Sequence, residues 1–175
     1  MNFSKFETQI YLFLAESMGS EETLCAYEFE GGFRAGYFQV GDERDPIDLV
    51  FSFPKNDIDC YLMATDGDPY ELCKEMSGLQ EYNESTAHLC STHTVKTNSQ
   101  YMEKAGWVAY LITTPAVLTS DLPNSADITG EIVRFHLAIP LCKEGYEIKL
   151  TNDNDTLMEY FEKTRRDIVA FGARA

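Results

Sequence analysis

Between residues 25 and 69 of this 175-residue chain, four strand-like runs follow one another with only turns between them. Cys25–Glu30 is the first, and Gly31-Gly32 supplies the positive-φ residues of a hairpin turn. Phe33–Val40 returns, and a charged loop spans Gly41–Pro46. Ile47–Phe53 alternates Ile47, Leu49, Phe51 and Phe53 against Asp48, Val50 and Ser52, the period of a half-buried strand. Pro54–Asp57 turns the chain into Ile58–Thr65, which stops at the turn residues Asp66-Gly67-Asp68-Pro69. Strands joined this closely make an antiparallel meander rather than βαβ crossovers.

Helices flank this run. Ser4 and Glu7 form a capping-box pair, Phe6, Ile10, Phe13 and Leu14 share one helical face, and Gly19 is a natural stop. Tyr70–Met76 reads as helical, because Leu72, Cys73 and Met76 lie on one side, whereas Ser77–Ser85 has no clear period. Thr92–Thr97 and Trp107–Thr114 read as β segments and Ser120–Asp127 as a loop. Ile132–Leu141 is the most apolar run left and reads as a central strand. Lys143–Lys149 gives one or two helical turns before the break at Asn152–Asn154. Thr156 and Glu159 offer a second capping box, and Ile168–Phe171 reads as a last strand. The result is one α+β domain over residues 1–175.

The charge is lopsided. The net is −15, and residues 1–90 hold 18 acidic against 5 basic side chains, a net of −13. Such a field repels nucleic-acid phosphates and anionic lipid surfaces and attracts basic partners. The N-terminal residues lack a secretory pattern, and no run is long and apolar enough to span a bilayer. Five widely spaced cysteines without a CxxC pair then read as reduced thiols in a cytosol.

No catalytic motif stands out. His88, Cys90 and His93 supply part of a zinc set, with Cys73 as the one further ligand in view, but a closed site needs about four ligands. Cys90 with His93, or Cys142 with His136, are the pairs from which a thiol enzyme would be built, although His136 in an apolar strand reads as a core histidine. There is no nucleotide-binding glycine loop, no complete calcium loop and no cofactor motif. Asp57, Asp59, Asp66, Asp68, Glu71 and Glu75 crowd into 19 residues with only Lys74 opposing them. They read either as a solvated edge that discourages aggregation or as a face for a basic protein.

The second half carries a resemblance. Leu89-Cys90-Ser91-Thr92-His93-Thr94-Val95 leads to the Trp107-centred strand ending in Thr114-Pro115. Then come the run Gly130–Glu144, the segment Asp155–Phe161 and the pair Arg165-Arg166. With the strands at Ile47–Phe53 and Tyr61–Thr65, this order resembles the suppressor-of-fused domain family in its bacterial single-domain form. Where that family often has a Thr-x-Gly-Met-Ser turn, this chain has Thr65-Asp66-Gly67-Asp68-Pro69. The resemblance implies a mixed, largely antiparallel sheet flanked by helices, no enzymatic activity and a protein partner. Some bacterial relatives resemble immunity proteins, and with the net of −13 over residues 1–90 this gives the expectation of one that neutralises a basic toxin; the resemblance carries over no contact residue, and the six carboxylates are the partner-binding candidates that the sequence itself offers.

Overall fold

The computed structural model describes residues 3–40, 44 and 46–172, so the charged loop expected over 41–46 lies largely outside the described residues. The first helix, α1 (Lys5–Met18), is bounded as its sequence dictates. Ser4 Oγ accepts from the Glu7 amide, Glu7 accepts from the Ser4 amide at 2.7 Å, and Gly19 closes the helix in the left-handed region at φ 65°. The meander follows as β1 (Cys25–Glu28), β2 (Arg34–Gln39), β3 (Asp48–Ser52) and β4 (Asp59–Thr65), each antiparallel to its predecessor.

Next come α2 (Pro69–Ser85), β5 (Thr94–Lys96), α3 (Gln100–Lys104) and β6 (Trp107–Thr113). The chain ends through β7 (Ser125–Ile128), β8 (Glu131–Cys142), α4 (Lys143–Thr151) and α5 (Asn154–Thr164). The eight strands among the described residues form one open sheet in the order β1-β2-β3-β4-β8-β6-β5, with β7 also on β8. Among the described strands the β4–β8 pair is the parallel one, so the sheet is mixed and mostly antiparallel, as the family resemblance implies. The long β8 holds it together, with β4 along one side and β7 and β6 end to end along the other.

Both faces of the sheet are covered. Leu49, Phe51, Cys60 and Leu62 point to a core closed by Ile10 and Leu14 of α1 and Leu157 of α5. Val50, Tyr61 and Met63 point to a second core closed by Leu72, Cys73 and Met76 of α2 and Met102 of α3. This corrects the half-buried reading of β3. Val50 and Ser52 are fully buried because α2 lies over the face that the alternation assigns to solvent. Burying a side chain such as Val50 contributes roughly 1.5–3 kcal/mol.

Other expectations change at the edges. The ambiguous Ser77–Ser85 is the second half of α2, carried by the buried Leu79, Gln80 and Asn83. Part of the expected 120–127 loop is β7, recruited by pairing with β8. The cap of α5 is Asp153 rather than Thr156, because its carboxylate reaches the Thr156 amide at 2.9 Å. Residues 168–171 form no strand. They bend into a tie, with Val169 O accepting from the Asp66 amide and the Phe171 amide donating to Asp66 Oδ1.

Candidate functional site

The six carboxylates singled out in the sequence are spread along β4 and α2 and have different surroundings. Helix α2 runs back antiparallel to β4, so Asp57 and Asp59 meet its C-terminal turns while Asp66 and Asp68 flank its start. Those ends are about 24 Å apart at the helical rise of about 1.5 Å per residue. Asp59 is fully buried. One oxygen lies 2.8 Å from His136 Nε2, and Arg134 Nη2 donates to the other at 2.9 Å. Asn83 Nδ2 adds a bond at 3.2 Å. Burial pushes the Asp59 carboxyl upward, but the hydrogen bonds from His136 and Arg134 outweigh it and hold it below the usual carboxylate range.

Asp57 is half-buried and takes Gln80 Nε2 at 2.7 Å and Asn83 Nδ2 at 2.6 Å, with burial raising its proton affinity. Asp66 holds the C-terminal tie, and Asp68 caps α2 by accepting from the Tyr70 and Glu71 amides. Glu75 accepts from Tyr110 at 2.7 Å and Thr97 at 3.3 Å. The expectation of one acidic contact formed by all six is therefore corrected for Asp59. Its charge is spent inside the sheet and offers no surface to a partner.

Sequence reasoning missed the polar network itself. Arg134 and His136 interrupt the apolar Ile132–Leu141 run two residues apart, which puts both on one face of β8. Two polar residues on one face of a central strand are a legible request for a buried counter-charge. Asp59, beside them on β4, supplies it. His88 Nδ1 stands 3.8 Å from Asp59 and connects the network to solvent.

Glu71 and Glu75 do share a surface feature. With Lys74 and Tyr82 of α2, Val95 and Lys96 of β5, and Tyr101 and Lys104 of α3, they line a cleft of about 660 Å³. One wall is β5, the sheet's last strand, which among the described residues pairs on a single side, with β6. Thr97 N–H donates to Val108 O, so Val95 and Thr97 are the residues bonded to β6. The alternation of an antiparallel ladder then turns the amides of Thr94 and Lys96 outward.

The cysteine pairs are not assembled. Cys142 and His136 lie six residues apart on β8, about 20 Å at strand spacing. Cys142 Sγ is instead 3.8 Å from Tyr160 Oη. His93 Nδ1 accepts from the backbone amide of Cys90, not from its thiol. Among the described residues no group of three or more His, Cys, Asp or Glu is placed to hold a metal ion.

No protein-family model matches the chain, and neither does any curated protein. Solved structures do. A structure described as a putative suppressor-of-fused homologue from Neisseria gonorrhoeae superposes with a TM-score of 0.74 at 14% identity, covering 97% of this chain and 95% of that one. The fold is that of the suppressor-of-fused proteins. The Sufu–Fu complex gives a TM-score of 0.67 at 10% identity, over 96% of this chain and 90% of that one. Drosophila Suppressor of Fused gives 0.64 at 11%, over 92% of this chain but only 48% of that one. In the suppressor-of-fused fold as this chain builds it, no described helix is long and apolar enough to cross a membrane.

Proposed function

We propose that this chain is a non-enzymatic, cytosolic protein-binding module that receives an extended segment of its partner along the β5 edge. The observation that carries this reading is the outward-facing amides of Thr94 and Lys96 beside the 660 Å³ cleft. An unpaired edge offers main-chain hydrogen bonds to an incoming strand, and the neighbouring cleft takes its side chains. The likeness to a fold seen in a Sufu–Fu complex supports a protein as the partner.

The finer reading is an immunity protein that holds a basic toxin. The net charge of −15 supports it, since such a field steers basic proteins toward the surface. The cleft itself mixes Lys74, Lys96 and Lys104 with Glu71 and Glu75, so steering comes from the whole chain and specificity from local pairs.

Co-purification with the products of neighbouring genes, at low and high salt, tests both. A toxin retained at low salt and weakened as salt rises supports the immunity reading. A partner retained equally at both keeps the binding module and removes the electrostatic part. Thr94→Pro deletes one outward donor without touching a β6 bond and should weaken capture at least ten-fold, a loss of about 1.4 kcal/mol. Unchanged capture by that variant would remove the edge-strand mode.

A further inference from the structure

The opposite end of the sheet from β5 leaves another edge open. Among the described residues β1 pairs only with β2. The Phe29 amide donates to Phe33 O, and the ladder alternates back from there, so Tyr27 and Cys25 are the residues bonded to β2. The amides and carbonyls of Ala26 and Glu28 therefore face away from the sheet. An aromatic plate lies beside this edge. Tyr27 has the rings of Phe29, Tyr37 and Tyr70 around it, with centres 6.3, 6.4 and 4.9 Å away. Tyr70, from the first turn of α2, also reaches Phe29 at 6.0 Å. Tyr27, Phe29 and Tyr37 rest against the α2-side core and are only partly buried, and Tyr70 is 46% exposed.

The charge along the edge has one sign. Residues 19–33 contain Glu21, Glu22, Glu28 and Glu30 and no basic residue. Glu28 is paired with Arg34 at 2.8 Å, whereas Glu21, Glu22 and Glu30 have no ion-pair partner among the described residues. Arg34 is held by Glu28 and Glu7 together. Lys55 bonds the Gly31 carbonyl and lies over the Phe33 ring. Lys74, one turn after Tyr70, lines the β5 cleft instead.

We propose that the β1 edge is a second docking site and takes an extended, basic segment of another protein. Main-chain hydrogen bonds form to Ala26 and Glu28. Alternate side chains of the segment fall on the aromatic plate, where Arg or Lys gains a cation–π contact, and the acidic run supplies the complementary charge. A second copy of this chain does not suit the edge, because it brings the same carboxylates to the same place. The edge lies across the whole sheet from β5, so it stands or falls without the β5 reading.

The full-length protein is titrated with a labelled peptide of about eight alternating Arg and Thr residues, at roughly 0.15 M salt, with the Glu-for-Arg peptide as control. A chain of net charge −15 holds any cationic peptide loosely, so the place of binding is read by amide hydrogen exchange. Saturable binding of the arginine peptide alone is expected, with slowed exchange at Ala26 and Glu28 and none at Thr94 and Lys96. Ala26→Pro changes no charge and breaks no β2 bond, and it should weaken that binding at least about ten-fold, whereas Thr94→Pro should leave it unchanged. The exchange map of the unmodified chain decides the matter if Ala26→Pro does not fold. Slowed exchange at Thr94 and Lys96 instead, slowed exchange at neither edge, equal binding of the glutamate peptide, or full affinity in a folded Ala26→Pro protein would each overturn the proposal.

Discussion

Asp59 Oδ1 and His136 Nε2 meet at 2.8 Å between β4 and β8, the two strands whose parallel pairing joins the meander to the rest of the sheet. The contact spans 77 residues of sequence. Polar chemistry is therefore placed at the join between the two halves of the sheet. A one-residue slip of β8 would turn His136 and Arg134 to the opposite face and leave Asp59 buried without a counter-charge.

Asp59→Ala should destabilise the protein toward the lower end of the roughly 3–5 kcal/mol seen when one partner of a buried ion pair is removed, since Arg134 keeps access to water. Urea unfolding at neutral pH measures it. A loss below about 0.5 kcal/mol, the size of an ordinary surface change, would contradict the account.

The same carboxylate sets an acid dependence. The folded Asp59 carboxyl sits below its ordinary value of 3.8, so its contribution is complete above that pH and fades as pH falls through the folded value. Asp57, raised by burial, works in the opposite direction. The stability gap between the native chain and Asp59→Asn should therefore narrow as pH drops below about 4. Thermal melts of both proteins from pH 7 to pH 2 check this, and a gap that widens in acid would refute it.

Gly67 has no room for a side chain. A Cβ there would stand 2.6 Å from Phe171 Cγ. Gly67→Ala should cost about 1–3 kcal/mol, the usual penalty of forcing a methyl into a packed site. Deuterium exchange should show the Asp66 and Phe171 amides losing protection first, since both sit in the displaced tie.

Thiol accessibility separates the cysteines. Cys25 and Cys90 are exposed, whereas Cys60 and Cys73 are buried, and burial pushes both buried thiols far above the ordinary thiol range. Iodoacetamide at pH 8, followed by mass spectrometry, should label Cys25 and Cys90 within minutes and Cys60 and Cys73 only after denaturation. Rapid native labelling of Cys60 or Cys73 would contradict the burial described here.

Much of the fold was legible because local chemistry and tertiary context agree. Ser4, Glu7 and Gly19 set the ends of α1 in sequence and structure alike. The glycine pair at 31–32 sits at the turn between β1 and β2, with both residues at positive φ. The misreadings share a cause. Val50 and Ser52 look solvent-facing until a helix from 17 residues further on covers them. Ser125–Ile128 has the composition of a loop and becomes a strand because β8 offers it an edge. The site was harder still. Asp59 looks like its neighbours in a list of acids, and only the parallel pairing to β8 separates it from Glu71 and Glu75.

That parallel pairing also sets a timetable for synthesis. The free side of β4 cannot be covered until β8, which ends 77 residues after Thr65, has emerged. At roughly 5–20 residues per second this leaves an apolar strand edge open on the nascent chain for about 4–15 s. A ribosome-bound chain halted near residue 130 would present a four-stranded meander with an unfinished border. Such a fragment is a natural client for a chaperone, and the same border would make a truncated product aggregate.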